Sequence, residues 1–318
     1  MKTKLEQYRT WASGCPHLPV FFQPWWLDAV CPGAWDVCLA KDEGGKIIGV
    51  LPYFLTRKWS LSAIEMPPLT PYLGPWYDFP ENLKLTNRYA LEHSTQDVLI
   101  KQLPSCVFFR QRWHPQLVNA LPFRWNGFRL EIKYTYCLSL GERDLYADFS
   151  SALRNNINNA AKKIRVERSA SGAGFYAMNG HAFAAQNMKM PYTEAQFQRL
   201  SEQAQQHQVQ DFYWAIEKDT AKTVAAIHIV KDQRYAYLLA SGRTPDAYSG
   251  AVALLIWRAL QDLSAEGIQV FDFEGSSLRG VEGFFRQFGG ELKMGLVLRK
   301  GSPLFRFAEL TNRIMGKQ

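Results

Sequence analysis

The stretch whose reading decides the fold is Ser249-Gly-Ala-Val-Ala-Leu-Leu-Ile-Trp-Arg-Ala-Leu-Gln-Asp-Leu-Ser-Ala-Glu-Gly-Ile-Gln-Val-Phe-Asp-Phe-Glu-Gly275, continued by Gly280-Val-Glu-Gly-Phe-Phe-Arg-Gln-Phe-Gly-Gly290. Ala251 to Ala265 carries apolar side chains at helical spacing with few breakers, which predicts a helix. Gly267 suits the position just past its end, where left-handed backbone closes a helix. Ile268 to Glu274 alternates as a strand does: Ile268, Val270, Asp272 and Glu274 face one way, Gln269, Phe271 and Phe273 the other. Gly275-Ser276-Ser277 breaks that strand, and Gly280 to Phe288 predicts a short aromatic helix stopped by two glycines. A strand that turns acidic at its C-terminal end and passes into a helix is where α/β proteins commonly build a site. The plainer reading is an ordinary strand–turn–helix connection with a capping carboxylate.

Upstream of this stretch, Asp211 to Glu217, Thr223 to Lys231 and Arg234 to Ser241 predict three strands, separated by turn residues, in an antiparallel meander. Thr193 to Gln208 is an amphipathic helix opened by a Thr-Glu start. Asp144 to Val166 predicts a helix whose Leu153, Ile157, Ala160, Ala161 and Ile164 make one face. Arg154, Lys162, Lys163, Arg165 and Arg168 make this the densest positive stretch, suited either to solvent or to a phosphate-bearing substrate. In the first part of the chain, Leu5 to Ala12, Pro24 to Val30, Leu83 to Leu103 and Pro115 to Ala120 predict helices. Trp35 to Lys41, Lys46 to Arg57, Leu61 to Met66, Cys106 to Trp113 and Phe128 to Leu138 predict strands. Pro67-Pro-Leu-Thr-Pro-Tyr-Leu-Gly-Pro75 is a stiff loop, since its prolines suit neither helix nor central strand. Tyr72 on it is a candidate to present its hydroxyl to a cleft. Glu291 to Arg299 predicts a last strand and Ser302 to Met315 a closing helix, with Ser302 as N-cap and Pro303 at the first turn. The boundary between two halves is placed at 130/131, giving domains over 1–130 and 131–318.

Composition bounds the function. With 318 residues, 47% of them hydrophobic, the chain can bury a large core. No apolar run is long enough to span a membrane and no leader-like segment is visible, so a cytoplasmic protein is expected. The five cysteines, Cys15, Cys31, Cys38, Cys106 and Cys137, are scattered without metal-ligand spacing; free thiols and no metal are expected. A net charge of +8 admits an anionic partner such as a nucleotide, RNA or a lipid headgroup.

The second half therefore runs strand, helices, three antiparallel strands, helix, strand, short helix, strand. This order resembles the GNAT acyltransferase fold. Phe271-Asp-Phe-Glu-Gly-Ser-Ser277 followed by Gly280 to Gly290 is similar to the closing signature of the FemAB-like branch of that superfamily. Phe22-Gln-Pro-Trp-Trp-Leu with Ile48-Gly-Val-Leu-Pro-Tyr53, and the basic helix over Arg154 to Arg165, resemble other parts of such proteins. The resemblance implies an α+β fold with a mixed sheet and two tandem GNAT-like domains. It implies an N-acyltransferase that moves an acyl or aminoacyl group, from acyl-CoA or aminoacyl-tRNA, directly to an amine in a ternary complex. No group is held permanently. Acceptors would be small-molecule or cell-envelope precursor amines, with tRNA and peripheral membrane contact as further partners.

On this resemblance the donor lies along the Arg234–Ser241 strand and at the start of the next helix, which implies Tyr237, Ser241, Arg243, Ser249 and Gly250 as donor-binding residues. Gly242-Arg-Thr-Pro-Asp-Ala-Tyr-Ser-Gly250 departs from the usual glycine-rich pyrophosphate loop, which leaves CoA and tRNA both open. Amine acylation needs a proton acceptor and oxyanion donors. Glu274 is the first candidate base and Asp272 the second, while Ser276, Ser277 and Tyr248 are candidate donors to the oxyanion or leaving group. Tyr72, Arg154, Lys162, His228 and Phe285 are candidate substrate contacts, although Phe285 with Phe284 and Phe288 also reads as core. The alternative is a GNAT-fold module that binds a nucleotide-bearing or phosphorylated ligand without catalysis.

Overall fold

The computed structural model describes residues 2–58, 60–141, 144–275 and 279–301. In chain order it begins with α1 (Lys4–Ser13), α2 (Pro24–Val30), β1 (Trp35–Lys41), β2 (Ile47–Lys58), β3 (Leu61–Glu65), β4 (Trp76–Tyr77), α3 (Leu85–Lys101), β5 (Phe108–Arg112) and α4 (Leu121–Trp125). It continues through β6 (Arg129–Ser139), α5 (Leu145–Asp148), α6 (Ser151–Lys163), β7 (Ile164–Ser169), α7 (Phe175–Ala184) and α8 (Glu194–Gln206). β8 (Gln210–Glu217), β9 (Thr223–Lys231), β10 (Tyr235–Arg243), α9 (Ala251–Ala265), β11 (Val270–Asp272), α10 (Arg279–Phe285) and β12 (Glu291–Gly301) complete it. This is an α+β protein. The helix expected over Pro115 to Ala120 forms instead at Leu121–Trp125, where Pro122 occupies the first turn and so loses no helical hydrogen bond. The helix expected from Ser302 lies outside the described residues.

The chain divides into two units, residues 1–133 with the segment from Met294, and residues 134–293. The last strand, expected with the second half, joins the first unit because Val297 to Gly301 pair antiparallel with Arg112 to Phe108 of β5. In that unit β1, β2, β3 and β5 follow one another, with β3 and β5 parallel. Leu51, Ile64, Leu99, Phe109, Trp113, Phe123 and Leu298 form its core. All five cysteines are free thiols, and burial pushes Cys31 and Cys38 up to about 12.

In the second unit β7, β8, β9 and β10 form the antiparallel meander, and β11 adds to β10 in parallel. α9 lies on one face. Its Leu255, Ile256, Ala259, Leu260 and Leu263 are fully buried, joining Ala225, Ile227 and Ile229 of β9 in one core. Each large aliphatic side chain buried this way contributes roughly 1.5–3 kcal/mol. The opposite face of β9 meets an aromatic layer of Phe175, Phe197 and Phe212 from α7, α8 and β8. The far edge is closed by ions. Arg168 forms two hydrogen bonds to Asp211 (2.8 and 2.7 Å) and one contact to Glu266 (2.6 Å), and Lys231 bridges the same two carboxylates (2.8 and 2.6 Å). The two cations more than offset burial and hold both carboxyls below their ordinary range.

Candidate active site

β10 and β11 pair over only three residues, Tyr235↔Val270, Ala236↔Phe271 and Tyr237↔Asp272. Beyond that point they part. β10 runs on to Arg243 against β9, with a register shift between Leu238 and Ala240. The segment after β11 stays with β6, the antiparallel partner of Val270 to Asp272, where the Phe273 N–H donates to the Tyr136 carbonyl (3.0 Å). A bulge and a lost partner both bend a strand and free its backbone. The free lip of β10, Ser241 to Arg243, borders a cavity of about 530 Å3.

The cavity is built from four directions within the second unit. Thr244, Tyr248 and Ser249 come from the loop after β10, and Gly250 to Ala253 from the start of α9. Leu153 and Asn156 come from α6, His181, Ala182, Ala185 and Gln186 from α7 and the residues after it, and Val281, Phe284 and Phe285 from α10. Gly250 stands at φ 90°, and a Cβ there would lie 2.4 Å from the Asn156 carbonyl oxygen, so glycine alone lets α9 begin against α6. No side chain caps α9, whose first N–H groups have no intrahelical acceptor and point outward with a partial positive charge. Arg243 is exposed on the same wall. Asp246, the acid in this loop, is held by its hydrogen bond to Lys222 (2.5 Å) and by Thr244, which lower it to about 2.

The lip itself is tied down. Asn179 Nδ2 donates to the Ser241 carbonyl (2.6 Å), and Tyr192 Oη donates to Asn179 Oδ1 (2.5 Å). Gly242 lets this happen, since a Cβ on it would meet the Met178 carbonyl at 2.1 Å. Replacing the buried Asn179 by Ala would strand a hydroxyl and a carbonyl, and is expected to lower unfolding free energy by about 1–3 kcal/mol. Urea titration of the variant measures this.

Asp272 is fully buried, and its Oδ1 accepts from Thr135 Oγ1 (2.5 Å) and from the Glu274 N–H (2.7 Å). The strand ends there, so the expected shared face of Asp272 and Glu274 gives way to a turn. Glu274 has φ 58° and Gly275 φ 64°. A Cβ on Gly275 would lie 2.0 Å from the Tyr134 carbonyl. A glutamate held in left-handed backbone is strained by roughly 1–3 kcal/mol, and such strain concentrates at functional positions. Asp272 thus holds the backbone of Glu274, which is half-buried. Phe273, just before it, packs on Phe285 of the cavity wall with ring centroids 4.9 Å apart.

The remaining candidates divide. Ser241, Arg243, Ser249, Gly250 and Phe285 line the cavity, as does Tyr248; Ser276 and Ser277 lie outside the described residues. Tyr237 is fully buried, stacked on Tyr235 with its hydroxyl toward Asp232 Oδ2 (3.5 Å), and does not line the cavity. Tyr72 is fully buried in the first unit with the Arg112 guanidinium 4.6 Å above its ring; it presents no hydroxyl to solvent. Arg154 donates to the Ala147 carbonyl (2.9 Å) at the end of α5, and Lys162 is exposed beside Asn159. Neither reaches the cavity, although Leu153 and Asn156 of the same helix do. Arg168, part of the same basic stretch, is taken by the Asp211 and Glu266 carboxylates. The contribution of α7 is absent from the sequence reading. Phe-Tyr-Ala-Met-Asn-Gly-His-Ala-Phe-Ala has no charged residue and no clear apolar stripe, so no periodic signal marks it.

His228 is a core residue. It is fully buried, stacked on Phe212 at 4.2 Å, with Nε2 3.1 Å from Gln210 Oε1. Burial pushes it down to about 3. Since the folded value lies below the unfolded one, near 6.5, the neutral ring's stabilisation is complete above pH 6.5. It is lost as pH falls toward 3, at about 1.4 kcal/mol per pH unit. His228→Gln, which keeps a donor toward Gln210, is expected to flatten that part of the stability–pH curve, read by denaturant midpoints.

Residues 147–286 match the family described as Acetyltransferase (GNAT) domain. That segment is a GNAT acetyltransferase domain. Its class is that of an acyltransferase enzyme. Among solved structures, FemX is similar with a TM-score of 0.63 at 11% identity, covering 93% of this chain and 96% of FemX. A domain assigned as the C-terminal domain of a lysylphosphatidylglycerol synthetase from Agrobacterium fabrum gives 0.57 at 12%, covering 97% and 95%. A tandem GNAT protein from the clavulanic acid biosynthesis pathway gives 0.50 at 12%, covering 86% of each. These likenesses extend over both units and give the fold as a FemAB-like tandem GNAT arrangement. No curated protein sequence matches the chain.

Proposed function

We propose that the GNAT domain transfers an acyl or aminoacyl group from a thioester or an aminoacyl-tRNA ester to a primary amine on a cell-envelope precursor, without a covalent enzyme intermediate. The observation that carries this reading is the early parting of β10 from β11. It leaves one edge of β10 without a strand partner beside a cavity that ends on a helix start with no side-chain cap. The outer edge of β10, apart from the Ser241 carbonyl that Asn179 holds, suits the amides of a pantetheine arm, and the α9 N-terminus with Arg243 suits the phosphates at its end. Val252, Val281, Phe284 and Leu153 give the cavity an apolar wall for the arm.

In the reaction the acceptor ammonium gives a proton to the Glu274 carboxylate, directly or through one water. The freed nitrogen attacks the donor carbonyl, a C–N bond forms, and the C–S or C–O bond to the carrier breaks. The nitrogen sheds its second proton as that bond breaks, and the leaving thiolate or alkoxide takes up a proton, with the Tyr248 hydroxyl on the cavity wall as the candidate relay that gives one and regains the other. Asp272 acts through the backbone of Glu274 and not on substrate. The lysylphosphatidylglycerol synthetase domain among the similar structures favours a lipid-linked, envelope-related acceptor.

The test is a panel of acyl-CoAs and charged tRNAs against candidate amines, read by mass shift, beside a thermal-shift screen of the same donors. A donor that binds the native protein at a hundredfold its Kd adds about 2.7 kcal/mol of stability. Failure of every thioester and charged tRNA both to stabilise the protein and to donate a group would overturn the proposal.

A further inference from the structure

Helix α3 is turned in an unusual way. Its inner face is sealed by polar residues. Glu92 is bonded to Arg88 (3.3 Å) and Asn119 (2.8 Å), and Gln96 to the Tyr77 hydroxyl and the Asn119 carbonyl (both 2.8 Å). Leu99 completes the buried row. Followed back toward the N-terminus at helical spacing, this row continues through Tyr89 and Leu85, which stand clear of the core. Both line a cavity of about 260 Å3 together with Val118. One turn on from Tyr89, the His93 ring meets the Trp125 ring edge-on at 5.2 Å. Leu85, Tyr89, Val118, Leu121 and Trp125 therefore make one strip along α3 and α4, each side chain between 48% and 73% exposed.

An apolar strip of this kind on the surface marks an interaction face. Its chemistry narrows the partner. Tryptophan and tyrosine stand beside aliphatic side chains, and exposed Lys84, Arg88 and Arg124 flank them. Glu92 is paired with Arg88 and Asp97 accepts from Asn126, so Lys84, Arg88 and Arg124 outnumber these two acids along the strip, on a chain of net charge +8. Amphipathic rings with aliphatic anchors and a basic border are the composition of surfaces that lie in the headgroup region of a bilayer. Among the described residues no helix is long and apolar enough to cross a membrane.

We propose that this strip docks the first unit onto a bilayer surface bearing anionic phospholipid. Leu85, Leu121 and Trp125 enter the boundary between headgroups and acyl chains, while Lys84, Arg88 and Arg124 meet lipid phosphates. The inference stands on the first unit alone and does not depend on the transfer reaction.

Flotation of the full chain with phosphatidylcholine vesicles, with and without phosphatidylglycerol, tests it. Binding is expected only with the anionic lipid, is expected to weaken as salt rises, and is expected to drop by about tenfold or more in Leu121→Ser/Trp125→Ser. Val98→Ser, an exposed apolar position on another side of α3, is the control and is expected to bind as the parent does. Absence of vesicle binding by the parent overturns the proposal. So does a parent that sediments as a dimer and becomes monomeric in Leu121→Ser/Trp125→Ser with no change in flotation, since the strip is then a contact between copies.

Discussion

Glu274→Gln is expected to slow acyl transfer by about 10²–10⁴-fold, the range for loss of a general base, while donor binding stays within a few-fold of the parent. The substitution keeps size and shape, so Phe273 still packs on Phe285 and the turn keeps its left-handed backbone. Only the proton acceptor is removed. Raising the pH distinguishes this role from a structural one: a fraction of amine already deprotonated in solution bypasses the base, so the defect should shrink toward alkaline pH. A defect unchanged by pH, or a lost donor-induced thermal shift, would show that Glu274 supports the turn and does not take the proton. Asp272→Asn gives the companion result. Its side-chain oxygen can still accept from the Glu274 N–H, so the rate should fall far less than in the Glu274 variant.

Gly250→Ala is the second large effect. The residue has φ 90°, where any side chain is strained, and its new Cβ would lie 2.4 Å from the Asn156 carbonyl oxygen and 2.8 Å from the carbonyl carbon. Neither contact can be relieved by a rotamer change, because both atoms belong to the α6 backbone. The start of α9 must move away from α6, at an expected loss of about 2–4 kcal/mol in stability and of the donor-induced thermal shift. Gly280→Ala is the control. It borders the same cavity, has open space where the methyl would sit and lies in α10, so it should be neutral or mildly stabilising. Equal losses in the two variants would mean that the cavity lining as a whole, and not the α6–α9 approach, sets donor binding.

Much of this architecture is legible before any coordinates. Ala251–Ala265 is a helix because its apolar spacing leaves one buried face, and the β8–β10 meander shows in strand runs cut by short polar turns. The cavity residues that sequence order finds, Ser241, Arg243, Ser249 and Gly250, sit at a strand end and a helix start, where chain order fixes neighbourhood. What stays hidden depends on tertiary contacts. Nothing local says that Arg154 will cap α5, that Tyr72 will lie under Arg112, or that His228 will stack on Phe212. The short length of β11 is hidden for the same reason: alternation over Ile268 to Glu274 predicts a longer strand, but an Asp272 side chain competes for the Glu274 N–H and ends it. His181, Ala182, Ala185 and Gln186 are missed with α7, whose sequence carries no period to read.

The strand from Glu291 to Gly301 joins the sheet of the first unit by pairing with β5, although it follows the whole of residues 134–290 in the chain. During synthesis, residues 134–293 emerge as an unbroken run and can close on the ribosome, while residues 1–133 must wait for a partner more than half the chain away. Until then β5 offers a bare edge that other chains can join. Translation pauses or chaperone supply in that interval should bear on yield more than substitutions in either finished core.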